Sequence, residues 1–191
     1  MDLTFIRHGQ GQHTLEPPNS LRIKDPSLTD EGIDQAKLLR KKIPLSDTDL
    51  VVISPIRRTL QTAFIWSEGI RCKKIVSPMV SPRMFPQKKE SKTLPCDVIM
   101  DCSEIKNEFP DFIIEKNSTN DLWSRGINST SEDEFKIIGK RFIQWCKLQS
   151  REKIYVVSHD GTITSYRQLL SNQTFTRKDF PKEAGWINVH C

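Results

Sequence analysis

A chain of 191 residues is long enough to bury a sizeable core without disulfides or metals, since above ~150 residues about 70% of the unfolded surface is lost on folding, and one domain over 1–191 is the simplest expectation. The net charge of +5 suits an anionic partner, but the positive residues are scattered, in pairs such as Lys41-Lys42 or the mixed run Lys88-Lys89-Glu90-Ser91-Lys92. With two tyrosines and no aromatic-basic interleaving, nucleic-acid binding gains no support. Met1-Asp2-Leu3-Thr4 lacks the basic and apolar regions of a secretion signal, and no 18-residue apolar run could span a membrane, so a soluble cytoplasmic protein is expected. The cysteines (Cys72, Cys96, Cys102, Cys146, Cys191) are odd in number and include no Cys-x-x-Cys pair, which fits a reducing compartment. His8 and His13 do not have a zinc spacing, a bland role is assigned to His13, and no metal or cofactor is expected.

In chain order, residues 3–6 have the length and content of a short buried strand running straight into Arg7-His8-Gly9. An imidazole at a strand end, between an arginine and a glycine, can face an incoming phosphoryl group with little screening, and His8 is read as a nucleophile. After a loop through Pro17-Pro18, Thr29 is the expected N-cap of a helix with Asp30 and Glu31 in its first turn; Ile33, Ala36, Leu39 and Ile43 form its apolar face, and Pro44 stops it. Residues 50–53 form an almost wholly apolar strand, as expected of one covered on both faces. It ends in Ser54-Pro55, read as N-cap and first position of a second helix, with Ile56, Leu60, Ala63 and Phe64 as its buried stripe. Arg57 and Arg58 fall in its first turn, where backbone N–H groups favour an anion, and one of the two is expected to lie on the solvated outer face.

Residues 71–126, broken by Pro78, Pro82, Pro86, Pro95 and Pro110, read as an irregular insertion, either a lid over the site or a decorated edge; Ser103 could cap a short helix ending before Pro110. Ser131 and Glu134 have capping-box spacing ahead of a helix with Phe135, Ile138, Phe142, Trp145 and Cys146 on one face. A third apolar strand, 153–157, ends in Ser158-His159-Asp160-Gly161; a further helix carries Ile163, Tyr166 and Leu170, and 186–189 resembles a last strand. Strands alternating with helices predict an α/β three-layer sandwich, a mostly parallel central sheet with helices on both faces, whose ligands bind outside the carboxyl ends of the strands. Those ends carry Arg7-His8, Arg58 and His159, a cluster that calls for an anion, and arginine forks match a phosphate.

Taken together, Arg7-His8-Gly9-Gln10, Ser54-Pro55-Ile56-Arg57-Arg58-Thr59-Leu60-Gln61-Thr62-Ala63 and Ser158-His159-Asp160-Gly161 resemble, in order, the motifs of the histidine phosphatase superfamily, also called the phosphoglycerate mutase-like family. Asp25-Pro26-Ser27-Leu28-Thr29-Asp30-Glu31-Gly32 is similar to that family's entry to its first helix. The resemblance implies a metal-independent phosphomonoester hydrolase in which His8 becomes a phosphohistidine, Arg7, Arg58 and His159 hold the phosphoryl oxygens, and Gly9, Gln10, Thr14 and Arg83 contact a small phosphorylated substrate. Register within the Ser-Pro motif selects Arg58 over Arg57. Two departures stand out. Thr14 occupies a position where many relatives have Asn, and residues 76–87, where many relatives carry a proton-donating glutamate, hold no carboxylate. Asp160 is the candidate general acid, with a helix cap as its alternative role and with Glu104 and Glu108 as weaker candidates. A phosphoglycerate mutase-type phosphotransferase and a catalytically silent binder of phosphorylated ligands are the alternative functions.

Overall fold

Strand-forming apolar runs and helix caps divide the computed structural model, which describes residues 1–88 and 92–191, into six strands and six helices. The strands are β1 (Asp2–Arg7), β2 (Leu50–Ile53), β3 (Lys73–Val76), β4 (Ile113–Ile114), β5 (Lys153–Ser158) and β6 (Trp186–His190). They form one sheet in the order β4-β3-β2-β5-β1-β6, parallel throughout except for the antiparallel pair of β1 with β6. The helices are α1 (Asp30–Lys42), α2 (Arg57–Trp66), α3 (Cys102–Glu108), α4 (Asn120–Arg125), α5 (Glu132–Leu148) and α6 (Asp160–Ser171).

The sheet is buried on both faces because side chains alternate along each strand. Leu3, Phe5, Leu50, Val52, Ile154 and Val156 pack against Phe135 and Phe142 of α5 and Ile163 and Tyr166 of α6. Their neighbours Ile6, Val51, Ile53, Tyr155 and Val157 pack on the other side against Leu39 of α1, Leu60, Ala63 and Trp66 of α2 and Ile105 of α3. Each such side chain contributes about 1.5–3 kcal/mol on burial, so a one-residue register slip in β1 would exchange the two cores. This is the expected three-layer sandwich. Among the described residues, no helix is long and apolar enough to cross a membrane.

Several local expectations need correction. The stretch 71–126 is not simply irregular. It supplies β3 and β4, which extend the sheet beyond β2, and helices α3 and α4. The strands escaped notice because four and two residues between prolines show no period. The second helix begins at Arg57, with Ile56 at its N-cap position, because the Ser54 hydroxyl is 2.8 Å from His159 Nε2 and does not cap the helix. Asp101, not Ser103, caps α3, accepting from the Ser103 N–H at 2.8 Å. At α5, Ser131 caps as expected, while the Glu134 carboxylate pairs with Arg125 and leaves the box half made. Lys89, Glu90 and Ser91, the middle of the mixed charged run, lie outside the described residues.

The topology has one consequence for chemistry. β2, β5 and β1 are adjacent and parallel, with Arg7 opposite Ser158 and Ile53 opposite Val157. The residues that follow them, Ser54, His159 and His8, therefore leave the sheet at the same edge, His8 level with His159 and Ser54 one residue short of them.

Candidate active site

At that edge the chain leaves β1 through His8, whose backbone N–H still bonds Ser158 O at 3.0 Å. Gly9 continues against α1 and α2: its N–H donates to Thr62 Oγ1 at 3.1 Å, and a Cβ in its place would stand 2.5 Å from Gly32 O. Gly9→Ala is expected to cost about 2 kcal/mol, a fall of roughly 4–8 °C in Tm, because backbone of two elements must separate. Thermal unfolding reads this directly, and an unchanged Tm would mean that the turn relaxes freely. Gln10 also faces α1, accepting from Thr29 Oγ1 at 2.8 Å, which directs its side chain to the helix cap and not to the rim.

His8 is 2% exposed and oriented from both ends. Its Nδ1 lies 2.6 Å from Gly9 O, which can only accept, so Nδ1 carries the proton and Nε2 the lone pair. That Nε2 accepts from Arg58 Nε at 3.2 Å. Arg58, also 2% exposed, is the hub of the site: Nη2 donates to His159 Nδ1 at 3.2 Å and to Asp97 Oδ1 at 2.8 Å, and Nη1 donates to Cys96 O at 2.6 Å. His159 therefore keeps its own proton on Nε2 and donates it to Ser54 Oγ. The rings of His8 and His159 stand edge to face, 5.1 Å apart. Arg7 closes the other side, with Nη2 3.0 Å from Asp160 Oδ2 and Nη1 donating to Pro181 O at 3.0 Å. Its buried Nε has no partner among the described residues.

These groups line a cavity of about 320 Å³. Arg7, His8, His13, Thr14, Arg58 and His159 form its polar floor, and Leu21, Met84, Phe85, Leu94 and Phe180 form apolar walls. Thr14 is present, with its hydroxyl on Gly11 O at 2.9 Å. Arg83 lines the cavity as well, but its guanidinium points away, to Thr130 O at 2.8 Å, Ile127 O at 3.2 Å and Glu132, with the Phe135 ring 4.3 Å beneath it. Arg57 lies outside, joining the loop at Asp25 to Glu108 of α3, as the motif register requires. That ion pair ties up Glu108 and, like Glu104, Glu108 does not reach the cavity. Asp160 does reach it, as the first residue of α6 and not as its cap.

Two residues here had no visible signal in the sequence. His13 joins the floor with its ring 5.5 Å from that of His8, and Asp97 arrives from the proline-broken stretch. With Asp160, it supplies the negative charge that the clustered cations require.

Burial, reinforced by Arg58, holds His8 and His159 well below the ordinary imidazole pKa, and the same causes push His13 down to about 3. All three are neutral at pH 7. The unfolded chain binds these protons near pH 6.5 while the folded protein does not, so stability is present above pH 6.5 and declines as pH falls below it. Each fully buried histidine contributes a slope of at most about 1.4 kcal/mol per pH unit. Denaturant midpoints should fall between pH 6.5 and 5, and less steeply in His13→Gln. A flat midpoint over that window would mean that the rings are solvated.

The sequence model of the histidine phosphatase superfamily (branch 1) matches residues 3–85, which hold His8 and Arg58. The fold is shared with the α-ribazole phosphatase of Shigella flexneri, at 20% identity and a TM-score of 0.64, over 100% of this chain and 90% of that one. The amino-terminal part of the chain is thus similar to the histidine phosphatase superfamily, and the whole chain has the fold of these phosphatases. Phosphoserine phosphatase of Entamoeba histolytica, solved with 3-phosphoglyceric acid, shares the fold at 19% identity and a TM-score of 0.62, over 98% and 89% of the two chains. In sequence, the chain is 25% identical to phosphoglycerate mutase-like protein 1 of Arabidopsis thaliana over 202 residues, 88% of this chain and 71% of that protein.

Proposed function

We propose that the protein hydrolyses phosphomonoesters through a phosphohistidine formed on His8. The observation that carries this reading is the lone pair of His8 Nε2, fixed by the 2.6 Å contact of Nδ1 with Gly9 O and held beside a buried guanidinium in an open cavity. Nε2 attacks phosphorus as the ester P–O bond breaks, and water then attacks the phosphohistidine, returning the lone pair to Nε2 and releasing phosphate. Arg7, Arg58 and His159 hold the phosphoryl oxygens, and the two guanidinium groups supply the positive charge that a cation would otherwise bring, so the chemistry needs no metal. The match of residues 3–85 to the superfamily model and the phosphatases that share the fold support the hydrolytic outcome.

The apolar walls favour an ester whose body presents a hydrophobic face next to the phosphate. The test is rapid quenching with 4-nitrophenyl phosphate carrying labelled phosphorus, in excess chelator. Label should remain on the protein in alkali and leave it in acid, as a phosphorus–nitrogen bond requires, and free phosphate should accumulate with turnover. Turnover that disappears on chelation, or label that never reaches the protein, would overturn the reading. Transfer of label to an added 3-phosphoglycerate in place of water would indicate a mutase.

A further inference from the structure

Among the described residues two carboxylates reach the cavity, Asp97 and Asp160, and they are held differently. Asp160 has both oxygens committed to strong donors: Oδ1 accepts from the Gly161 N–H at 2.6 Å, and Oδ2 lies 3.0 Å from Arg7. Asp97 has one strong partner, Arg58 Nη2 at 2.8 Å, besides the weakly donating Cys96 thiol, and its side chain is 21% exposed. That partner is the guanidinium that also contacts His8 Nε2 and His159 Nδ1. An anion drawn to Arg58 therefore competes with Asp97. The backbone around the carboxylate is pinned while the side chain is not, since residues 95–97 form a single helical turn whose Cys96 carbonyl is bonded to Arg58 Nη1 at 2.6 Å.

We propose that Asp97 occupies the phosphate seat of the empty protein, is displaced from Arg58 by the incoming phosphoryl group, and then serves as the proton donor to the leaving group. This rests on the phosphatase reading above and adds a catalytic residue to it. A phosphomonoester loses its last proton only near pH 6, so part of the substrate arrives with that proton. Once Arg58 turns to the phosphoryl oxygens, the displaced carboxylate faces an anion without its counter-charge, and the two share the proton. As the His8 Nε2–P bond forms and the ester P–O bond breaks, the electron pair of that bond and the shared proton go to the leaving oxygen, and the alcohol departs. The Asp97 carboxylate then takes a proton from the water that attacks the phosphohistidine, breaking the Nε2–P bond, and passes it to the departing phosphate as it regains Arg58. One water is consumed, and one alcohol and one phosphate are formed.

Asp160 is less suited to the part, because a proton on either of its oxygens would break a contact that orders Arg7 or the first turn of α6. The absence of a carboxylate from residues 76–87 is then met by one about ten residues further along the chain.

The experiment compares wild type, Asp97→Asn and Asp160→Asn on 4-nitrophenyl phosphate, whose leaving group needs no proton, and on phenethyl phosphate, whose leaving group does. Binding of inorganic phosphate is measured in parallel by calorimetry. Asp97→Asn should lose about 10²- to 10³-fold in kcat on the alkyl ester and under 10-fold on the aryl ester. It should also bind phosphate about tenfold more tightly, because no carboxylate competes for Arg58. Asp160→Asn should lower both esters by a common factor. Asp97→Ala gives the same split between esters without an amide to replace the carboxylate on Arg58. Equal losses on both esters in the Asp97 variants, or weaker phosphate binding, would overturn the proposal while leaving the phosphatase reading intact. A wild type that binds phosphate but turns over neither ester would overturn both.

Discussion

His8→Ala should lose turnover by about 10⁴-fold or more on any phosphomonoester, with the loss in kcat and not in KM. His159 cannot take over, because its Nδ1 is the acceptor of an Arg58 bond and its Nε2–H is directed at Ser54. The variant should still fold, because the space left is at the cavity floor and not within the sheet. Phosphate should still bind through Arg7 and Arg58. The readouts are steady-state rates on an aryl phosphate and calorimetric phosphate binding. Residual turnover within tenfold of wild type would remove His8 from the nucleophile's role.

The second large effect is that of Arg58. Arg58→Ala should lower kcat/KM by about 10³-fold or more, the range in which a transition-state arginine acts. It should also lower stability by about 3 kcal/mol, because Cys96 O and the partly buried Asp97 carboxylate lose their donor together. Arg58→Lys keeps the charge but cannot reach His8, His159, Cys96 and Asp97 at once, so it should recover stability more than rate. Its neighbour supplies the contrast. Arg57→Ala breaks the links to Asp25 and Glu108 outside the cavity and should leave kcat/KM within about threefold of wild type. Similar rate losses at both positions would mean that the motif register has been misassigned.

Why Arg58 was distinguishable in the sequence, and Asp97 was not, has a physical answer. His8, Arg58 and His159 each follow an apolar run that must be a buried strand, so a pattern of period and composition locates them, and parallel neighbours bring their ends together. The same logic made β1, β2, β5 and the helices α1, α5 and α6 readable, with Thr29 and Ser131 capping as their chemistry suggests. Asp97 belongs to a three-residue turn between prolines, 39 positions from its partner, and nothing local marks it. His13 is hidden for a similar reason, since its neighbourhood is fixed by the fold and not by its spacing from His8. Ser54 shows a different failure: a good cap residue was read by its propensity, but a buried imidazole nitrogen offered a partner with no other way to be satisfied. Arg83 was read from its place near the mouth, whereas its length lets the charge reach backward into Thr130 and Glu132.

The position of β1 between β5 and β6 also has a consequence for how the protein is made. During synthesis residues 2–7 emerge early, but the segments that flank them are residues 153–158 and 186–190. At roughly 5 to 20 residues per second, the apolar strand that leads into His8 waits on the order of 10 to 30 seconds on the ribosome before either neighbour has been translated. The last-made neighbour also brings Pro181 and Gly185, which hold Arg7 by its side chain and its backbone N–H. A nascent chain stalled before residue 181 would hold Arg7, His8, Arg58 and His159, with Asp160 but neither Pro181 nor Gly185 to anchor Arg7. The rim around His8 is therefore completed late in synthesis, and the interval before it is when chaperone capture of the amino-terminal strand matters most.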